Sequence, residues 1–172
     1  MWNLSNSLSI LRIFLALPVC CAIWHNHTFL AVTLGIIAML TDYLDGYFAR
    51  KLNQITEAGK ILDPLADKII IISVFIVMTI QDLVPLWFTI MVFARDVLIL
   101  LGGIPLKKRL GYVVPSNQTG KWTVLFISLF IVYKVLGFDY FEDYILAFIS
   151  AMLVISFVQY LIRGISLWKN AE

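Results

Sequence analysis

Four aspartates occur within 26 residues of a chain in which 61% of the residues are hydrophobic. Asp42 and Asp45 are three residues apart, and Asp63 and Asp67 are four residues apart. On a helix, either spacing places the two carboxylates on the same face. Four such carboxylates require cations, because unpaired buried charge costs several kcal/mol per group. Oxygen ligands without His or Cys select Mg²⁺ or Mn²⁺, so the spacing favours two ions about 4 Å apart, an arrangement that clamps phosphoryl groups.

Three small residues and one arginine accompany the aspartates. Gly46, Ala49 and Gly59 leave space in which a ligand can approach the backbone and the metals. Arg50 has a planar guanidinium that suits phosphate oxygens. Acidic residues near a helix end are often solvated, and that interpretation accounts for two of the aspartates alone. It does not account for all eight specified positions. The pattern is Asp-x-x-Asp-Gly-x-x-Ala-Arg, then a spacer of eight residues, then Gly-x-x-x-Asp-x-x-x-Asp. We call it the aspartate motif.

The elements that carry this motif are predicted from the apolar segments of the chain. Only 14% of the 172 residues are charged, whereas about a quarter are charged in a typical soluble domain. Apolar segments of roughly 17 to 25 residues can each cross a bilayer as a helix. We therefore expect an all-α, polytopic integral membrane protein, with one domain over residues 1–172 and a short N-terminal interfacial helix. Its six transmembrane helices are expected at about 8–25, 29–50, 61–80, 84–103, 121–136 and 144–162.

Lys and Arg are distributed unequally between alternate loops. The loops after the first, third and fifth segments, HNHT, QDLVP and GFDYFED, contain neither residue. Under the positive-inside rule, the other two loops and both termini face the cytoplasm. The aspartate motif then lies at the cytoplasmic boundary of the membrane. The basic residues on that side are Arg50, Lys51, Lys60, Lys107, Lys108, Arg109, Lys121 and Lys169.

From Asp42 to Asp67 the chain resembles the signature of the CDP-alcohol phosphotransferase family, and every fixed position of that signature is met. The resemblance implies an enzyme of phospholipid biosynthesis that binds CDP-diacylglycerol. An alcohol hydroxyl attacks the phosphorus that bears the lipid, CMP leaves, and a phosphodiester forms. The resemblance also implies a homodimer, and we expect it in the bacterial cytoplasmic membrane. The net charge of +2 is modest, so no nucleic-acid partner is expected.

The residue roles of the family transfer position by position onto the aspartate motif. Asp42, Asp45 and Asp63 correspond to residues that bind metal and the CDP moiety. Asp67 corresponds to the residue that lies near the metal and is the general base for the acceptor hydroxyl. The resemblance thus implies two Mg²⁺ or Mn²⁺ ions, held by Asp42, Asp45, Asp63 and Asp67, and a CDP pocket formed by Asp42, Asp45, Gly46, Ala49, Arg50 and Gly59.

The acceptor alcohol is indicated by wider stretches of the chain. NLSNSLSILRI at the start and GKILDPLADKI in the third segment are similar to the phosphatidylglycerophosphate synthases of this family. Arg95 and Lys121 match positions that bind the phosphate of glycerol 3-phosphate in those enzymes. A second Arg two turns after the first is usual there, and this chain has Gly103 instead. FARDVLI at 93–99 is also similar to the cardiolipin synthases of the family, which use phosphatidylglycerol, and this is the alternative.

Three other features have alternative interpretations. Arg12 lies about one turn inside the membrane, where it either snorkels to the cytoplasmic surface or contributes to an anionic site. Lys134 in the fifth segment is expected to snorkel toward the outer surface. A divalent-cation or proton-coupled transporter also carries intramembrane aspartates, but it needs acidic residues near the bilayer midplane. The four aspartates of this chain cluster at one boundary instead.

Overall fold

A computed structural model shows an all-α chain, as the sequence predicts. It describes residues 4–51, 59–110 and 117–169, and no β-strand occurs in these ranges. Six helices follow one another in the described ranges. They are α1 (Leu4–Trp24), α2 (Thr28–Lys51), α3 (Gly59–Ile80), α4 (Leu86–Leu110), α5 (Gln118–Val135) and α6 (Glu142–Lys169).

Each helix coincides with one predicted apolar segment, and the differences lie at the helix ends. The expected interfacial helix and the first span form one helix, which begins at Leu4. Helix α4 continues to Leu110 and α6 to Lys169, beyond the predicted ends at 103 and 162. The extension of α4 contains Lys107, Lys108 and Arg109, and that of α6 contains Arg163 and Lys169. Lys and Arg are good helix formers.

The surface of the helices is that of a membrane protein. Two stretches are long and apolar enough to cross a bilayer by themselves, Leu86–Leu106 within α4 and the whole of α6. All six helices also expose large apolar side chains, among them Phe14 of α1 and Phe29 of α2, which are 72% and 87% exposed. Soluble proteins rarely leave so much apolar surface in water. Six membrane crossings stay a prediction.

The chain forms two compact units, Met1–Val84 and Pro85–Glu172, and one domain over residues 1–172 stays a prediction. In the first unit, α1 packs against both α2 and α3. Small buried residues such as Ala16 of α1 and Ala31 of α2 allow helix backbones to approach closely. Helix α1 therefore supports both of the helices that carry the aspartate motif.

In the second unit, α6 packs against both α4 and α5. The buried residues of α6 recur every three or four positions, which places them on one face of the helix. They are Leu146, Ile149, Leu153, Ser156, Tyr160 and Gly164. Two of the six carry hydroxyl groups, so the seam between α6 and its neighbours contains polar atoms as well as packed apolar side chains.

The connection between α5 and α6 contains a buried lysine that is ion-paired with two carboxylates. Lys134, near the end of α5, has a side chain that is only 5% exposed. Its Nζ atom donates to Asp139 Oδ1 at 2.6 Å and to Glu142 Oε2 at 2.7 Å. Two carboxylates neutralise the ammonium, so it can be buried without a large electrostatic cost. The pair joins the end of α5 to the start of α6.

Candidate functional site

The aspartate motif lies on two helices of the first unit. Helix α2 continues to Lys51 and carries the five positions from 42 to 50, whereas α3 begins at Gly59 and carries the last three. Asp42 and Asp45 are therefore about one helical turn apart. The side chains of Asp42, Asp45, Gly46, Ala49, Arg50, Gly59 and Asp63 lie outside the described part of the structure. The four-aspartate cluster and the CDP pocket thus stay predictions.

Asp67, the expected general base, is ion-paired with an arginine of α1. Arg12 Nη1 donates to Asp67 Oδ1. The Arg12 side chain is 2% exposed and that of Asp67 is 46% exposed, so a buried guanidinium meets a half-exposed carboxylate. Of the two interpretations of Arg12, snorkelling to the surface is wrong, because the side chain is buried in the first unit. Arg12 instead pairs with one carboxylate of the aspartate motif.

Spacing in the sequence could not have identified this pair, because Arg12 and Asp67 are 55 positions apart. The available signal was the position of Arg12 inside an apolar segment, where an ionisable residue is usually paired. The packing of α1 against α3 decides which carboxylate it meets. As a result, one oxygen of Asp67 is held in a fixed direction.

The described side chains do not by themselves form a metal site. Among them, no three His, Cys, Asp or Glu residues are grouped closely enough to hold an ion. Three of the four expected ligands, Asp42, Asp45 and Asp63, lie outside this set. The donor set of the aspartate motif consists of carboxylates on two helices, and that chemistry fits Mg²⁺ or Mn²⁺.

Arg95 is the centre of a second polar site, in the second unit. Its side chain is 15% exposed. Nη1 donates to Asp96 Oδ1 at 2.8 Å, and Nη2 donates to Ser156 Oγ of α6 at 2.8 Å. Its Nε is buried and makes no hydrogen bond to any residue that the structure describes. A guanidinium has five N–H donors, so Arg95 retains donors for an anionic ligand.

The start of α5 is fixed against α6 by a hydrogen-bond network. Asn117 caps α5 by accepting a hydrogen bond from Gly120 N at 2.8 Å. Its Nδ2 donates to Ser156 O at 3.2 Å and to Gln159 Oε1 at 3.0 Å. Thr119 Oγ1 donates to the same Gln159 oxygen at 2.7 Å. The N-terminus of α5, which carries a partial positive charge, is therefore held beside the Arg95 partner Ser156.

Gly120 brings the start of α5 close to Arg95. A Cβ atom at this position would lie 2.7 Å from Asn117 Oδ1, 3.0 Å from Arg95 Nη2 and 3.2 Å from Ser156 Oγ. A side chain there would displace the network, so the contact requires glycine. Lys121 is the next residue and is exposed. Gly120 thus lies beside Arg95, whereas a joint site of Arg95 and Lys121 stays a prediction. We call these two residues with the N-terminus of α5 the anion site.

Sequence reasoning did not identify four residues of this network, Asn117, Thr119, Ser156 and Gln159. Two weak signals were present. Asn117 precedes Gly120 by three residues, which is the spacing of a side-chain cap at a helix start. Ser156 and Gln159 are polar residues three apart within a long apolar helix, and such residues usually hydrogen-bond across helices.

Comparison with known proteins relates most of the chain to one family. A family model described as CDP-alcohol phosphatidyltransferase matches residues 2–166. The protein of Aquifex aeolicus named CDP-diacylglycerol–glycerol-3-phosphate 3-phosphatidyltransferase is 36% identical, over 94% of this chain and 96% of its own length. The Bacillus subtilis protein of the same name is 42% identical, over 51% of this chain and 45% of its own length. Human cardiolipin synthase (CMP-forming) is 40% identical, over 74% of this chain and 45% of its own length.

Proposed function

Because this chain belongs to the CDP-alcohol phosphatidyltransferase family, we propose that it transfers a phosphatidyl group from CDP-diacylglycerol to glycerol 3-phosphate. The acceptor hydroxyl oxygen forms a bond to the phosphorus that bears the diacylglycerol, and the bond from that phosphorus to CMP breaks. The hydroxyl proton goes to a base on the protein, and the products are phosphatidylglycerophosphate and CMP. The anion site around Arg95 is the observation that carries the assignment of a phosphorylated acceptor.

The aspartate motif is proposed to hold the donor substrate. Asp42, Asp45 and Asp63 bind the CDP moiety and the metals together with Asp67, while Gly46, Ala49, Arg50 and Gly59 complete the CDP pocket. Two Mg²⁺ or Mn²⁺ ions neutralise the phosphoryl oxygens when bound. The carboxylate-only donor set supports this choice of metals.

Asp67 is proposed to accept the proton of the acceptor hydroxyl. A general base must lie within hydrogen-bond reach of that proton and must be oriented toward it. The ion pair with Arg12 supports this role, because it holds Asp67 Oδ1 and so restricts the carboxylate to one orientation. Arg12 acts here as a positioning residue for Asp67.

Arg95 and Lys121 are proposed to bind the phosphate of glycerol 3-phosphate. The buried Nε of Arg95 supplies a donor that the described residues leave unused. Lys121 and the N-terminus of α5 add positive charge beside it. Phosphatidylglycerol is the alternative acceptor, and the 40% identity to human cardiolipin synthase favours keeping it as the second candidate.

The chain is further proposed to cross the bacterial cytoplasmic membrane six times, as a homodimer, with its active site and both termini on the cytoplasmic side. The unequal distribution of Lys and Arg between alternate loops supports this orientation. Glycerol 3-phosphate is water-soluble, and CDP-diacylglycerol lies in the bilayer. An active site at the cytoplasmic boundary of the membrane can bind both substrates.

Release of CMP against a panel of acceptors tests the proposal. Purified protein in mixed micelles is given CDP-diacylglycerol, Mg²⁺ and either glycerol 3-phosphate, phosphatidylglycerol or no alcohol. We expect CMP release with glycerol 3-phosphate, and none from Asp67→Asn with the same acceptor. Release only with phosphatidylglycerol would identify a cardiolipin synthase. No release with any alcohol would contradict the transferase assignment.

A further inference from the structure

Tyr160 carries a hydroxyl group that the hydrogen-bond network does not use. The residue lies on the buried face of α6, one turn after Ser156, and is 9% exposed. Its hydroxyl forms no hydrogen bond with any residue in the described part of the chain. A hydroxyl that no protein group uses keeps its O–H donor for a ligand or a water molecule.

The Tyr160 hydroxyl lies against α4 at a place where α4 has no side chain. A Cβ atom at Gly103 would be 3.0 Å from the hydroxyl oxygen, and one at Gly102 would be 3.9 Å from the Tyr160 ring. The two glycines therefore leave room for the tyrosine between α4 and α6. Any side chain at residue 103 would compete with the hydroxyl for the same space.

Tyr160 follows Ser156, the hydrogen-bond partner of Arg95, on the buried face of α6. Ser156 Oγ accepts a hydrogen bond from Arg95 Nη2 and so marks the position of the guanidinium. Tyr160 follows four residues later, which is about 6 Å along the helix axis. The two side chains therefore lie on the same face of α6 on successive turns.

We propose that the Tyr160 hydroxyl donates a hydrogen bond to the phosphate of the acceptor and selects glycerol 3-phosphate over phosphatidylglycerol. This inference rests on the proposed function, because it takes the anion site as the place of the acceptor phosphate. A phosphate monoester presents three terminal oxygens, whereas the diester of phosphatidylglycerol presents two. Arg95 of α4, Lys121 of α5 and Tyr160 of α6 supply one donor group from each helix, which matches the monoester.

Tyr160→Phe tests the proposal, because it removes the hydroxyl oxygen and keeps the ring. A hydrogen bond to a charged group affects affinity about tenfold or more, so the KM for glycerol 3-phosphate should rise about tenfold. The KM for CDP-diacylglycerol and the kcat at saturating acceptor should stay within about twofold, since the ring still separates α4 from α6. Tyr144→Phe is the matched control, because Tyr144 is on the same helix but 76% exposed.

Gly103→Ala is the second test and serves if Tyr160→Phe does not fold. Its methyl group would lie 3.0 Å from the hydroxyl oxygen and displace it, so the KM for glycerol 3-phosphate should rise in the same way. An unchanged KM for glycerol 3-phosphate in either folded variant would overturn the role of Tyr160. Equal changes in kcat and in the KM for both substrates would also overturn it, because they indicate a loss of packing.

The wild-type protein separates this failure from failure of the proposed function. If wild-type protein releases CMP with phosphatidylglycerol and not with glycerol 3-phosphate, the acceptor assignment fails, and the selectivity proposed for Tyr160 fails with it. If wild-type protein uses glycerol 3-phosphate and Tyr160→Phe uses it equally well, only the inference about Tyr160 fails. A fall of about tenfold in the ratio of glycerol 3-phosphate to phosphatidylglycerol turnover is the supporting result.

Discussion

Replacing Arg12 by Met is expected to destabilise the first unit and to slow the proposed transfer reaction. The substitution removes the guanidinium that binds Asp67 Oδ1 and keeps a long apolar side chain in its place. Without the ion pair, the Asp67 carboxylate can adopt other orientations. A base that is incorrectly oriented for part of the time lowers kcat. General-base catalysis contributes a rate factor of about 10²–10⁴. We expect Arg12→Met to lose about tenfold of that factor in kcat.

The expected coupling energy follows from the exposure of the two side chains. Exposed ion pairs contribute about 0–1 kcal/mol, and breaking a buried pair costs about 3–5 kcal/mol. The Arg12 side chain is 2% exposed, but that of Asp67 is 46% exposed, so water can solvate the carboxylate once the pair is broken. We therefore expect a coupling of about 1–2 kcal/mol between the two positions, between these two limits.

A double-mutant cycle measures this coupling separately from any other contact of either residue. It uses Arg12→Met, Asp67→Asn and the double variant, with Leu11→Met as the control, because Leu11 is the neighbouring residue of α1 and is 46% exposed. Thermal unfolding in detergent is the assay, and 1 kcal/mol corresponds to about 2–4 °C in Tm for a chain of this size. A coupling below about 0.5 kcal/mol, with kcat of Arg12→Met unchanged, would refute the positioning role of Arg12.

Three further predictions concern the anion site, the α5–α6 connection and the metals. Gly120→Ala places a methyl group 3.0 Å from Arg95 Nη2, so the KM for glycerol 3-phosphate should rise about tenfold while that for CDP-diacylglycerol is unchanged; equal rises in both would argue against an acceptor site. Lys134→Met removes the ion pairs to Asp139 and Glu142 and should cost about 1–2 kcal/mol in unfolding free energy. It should leave both KM values unchanged, because Lys134 is about 20 Å along α5 from Gly120, and a changed KM would contradict that separation. Chelation with EDTA should abolish CMP release, and Mg²⁺ or Mn²⁺ but not Ca²⁺ should restore it; full activity in EDTA would exclude the two-metal proposal.

The helices were predictable because their signals are local. Apolar segments separated by short polar loops predicted α1 to α6, and only the helix ends differed. Helices α4 and α6 continue past the predicted apolar segments into stretches that contain Lys and Arg, and such residues occur both in helices and in loops. Apolar composition alone does not distinguish these two outcomes.

The candidate sites were predictable only in part. Arg95 was identified because an arginine inside an apolar segment requires a partner. Its partner Ser156 is 61 positions away, and no periodicity connects the two residues. Gly103 illustrates the same limit. In the sequence, Gly103 stands where an arginine is expected. In the structure, the lack of a side chain at Gly103 leaves room for the Tyr160 hydroxyl.

The sequence by itself determined the all-α class, the apolar character of the surface and the positions of the aspartate motif on two successive helices. These properties depend on residue type and on spacing along one helix, where neighbours recur every three or four positions. Only the tertiary structure decided that Arg12 pairs with Asp67 and that Arg95 meets α6 at Ser156. Such contacts depend on which helix faces pack together, and that packing depends on all the side chains of both faces at once.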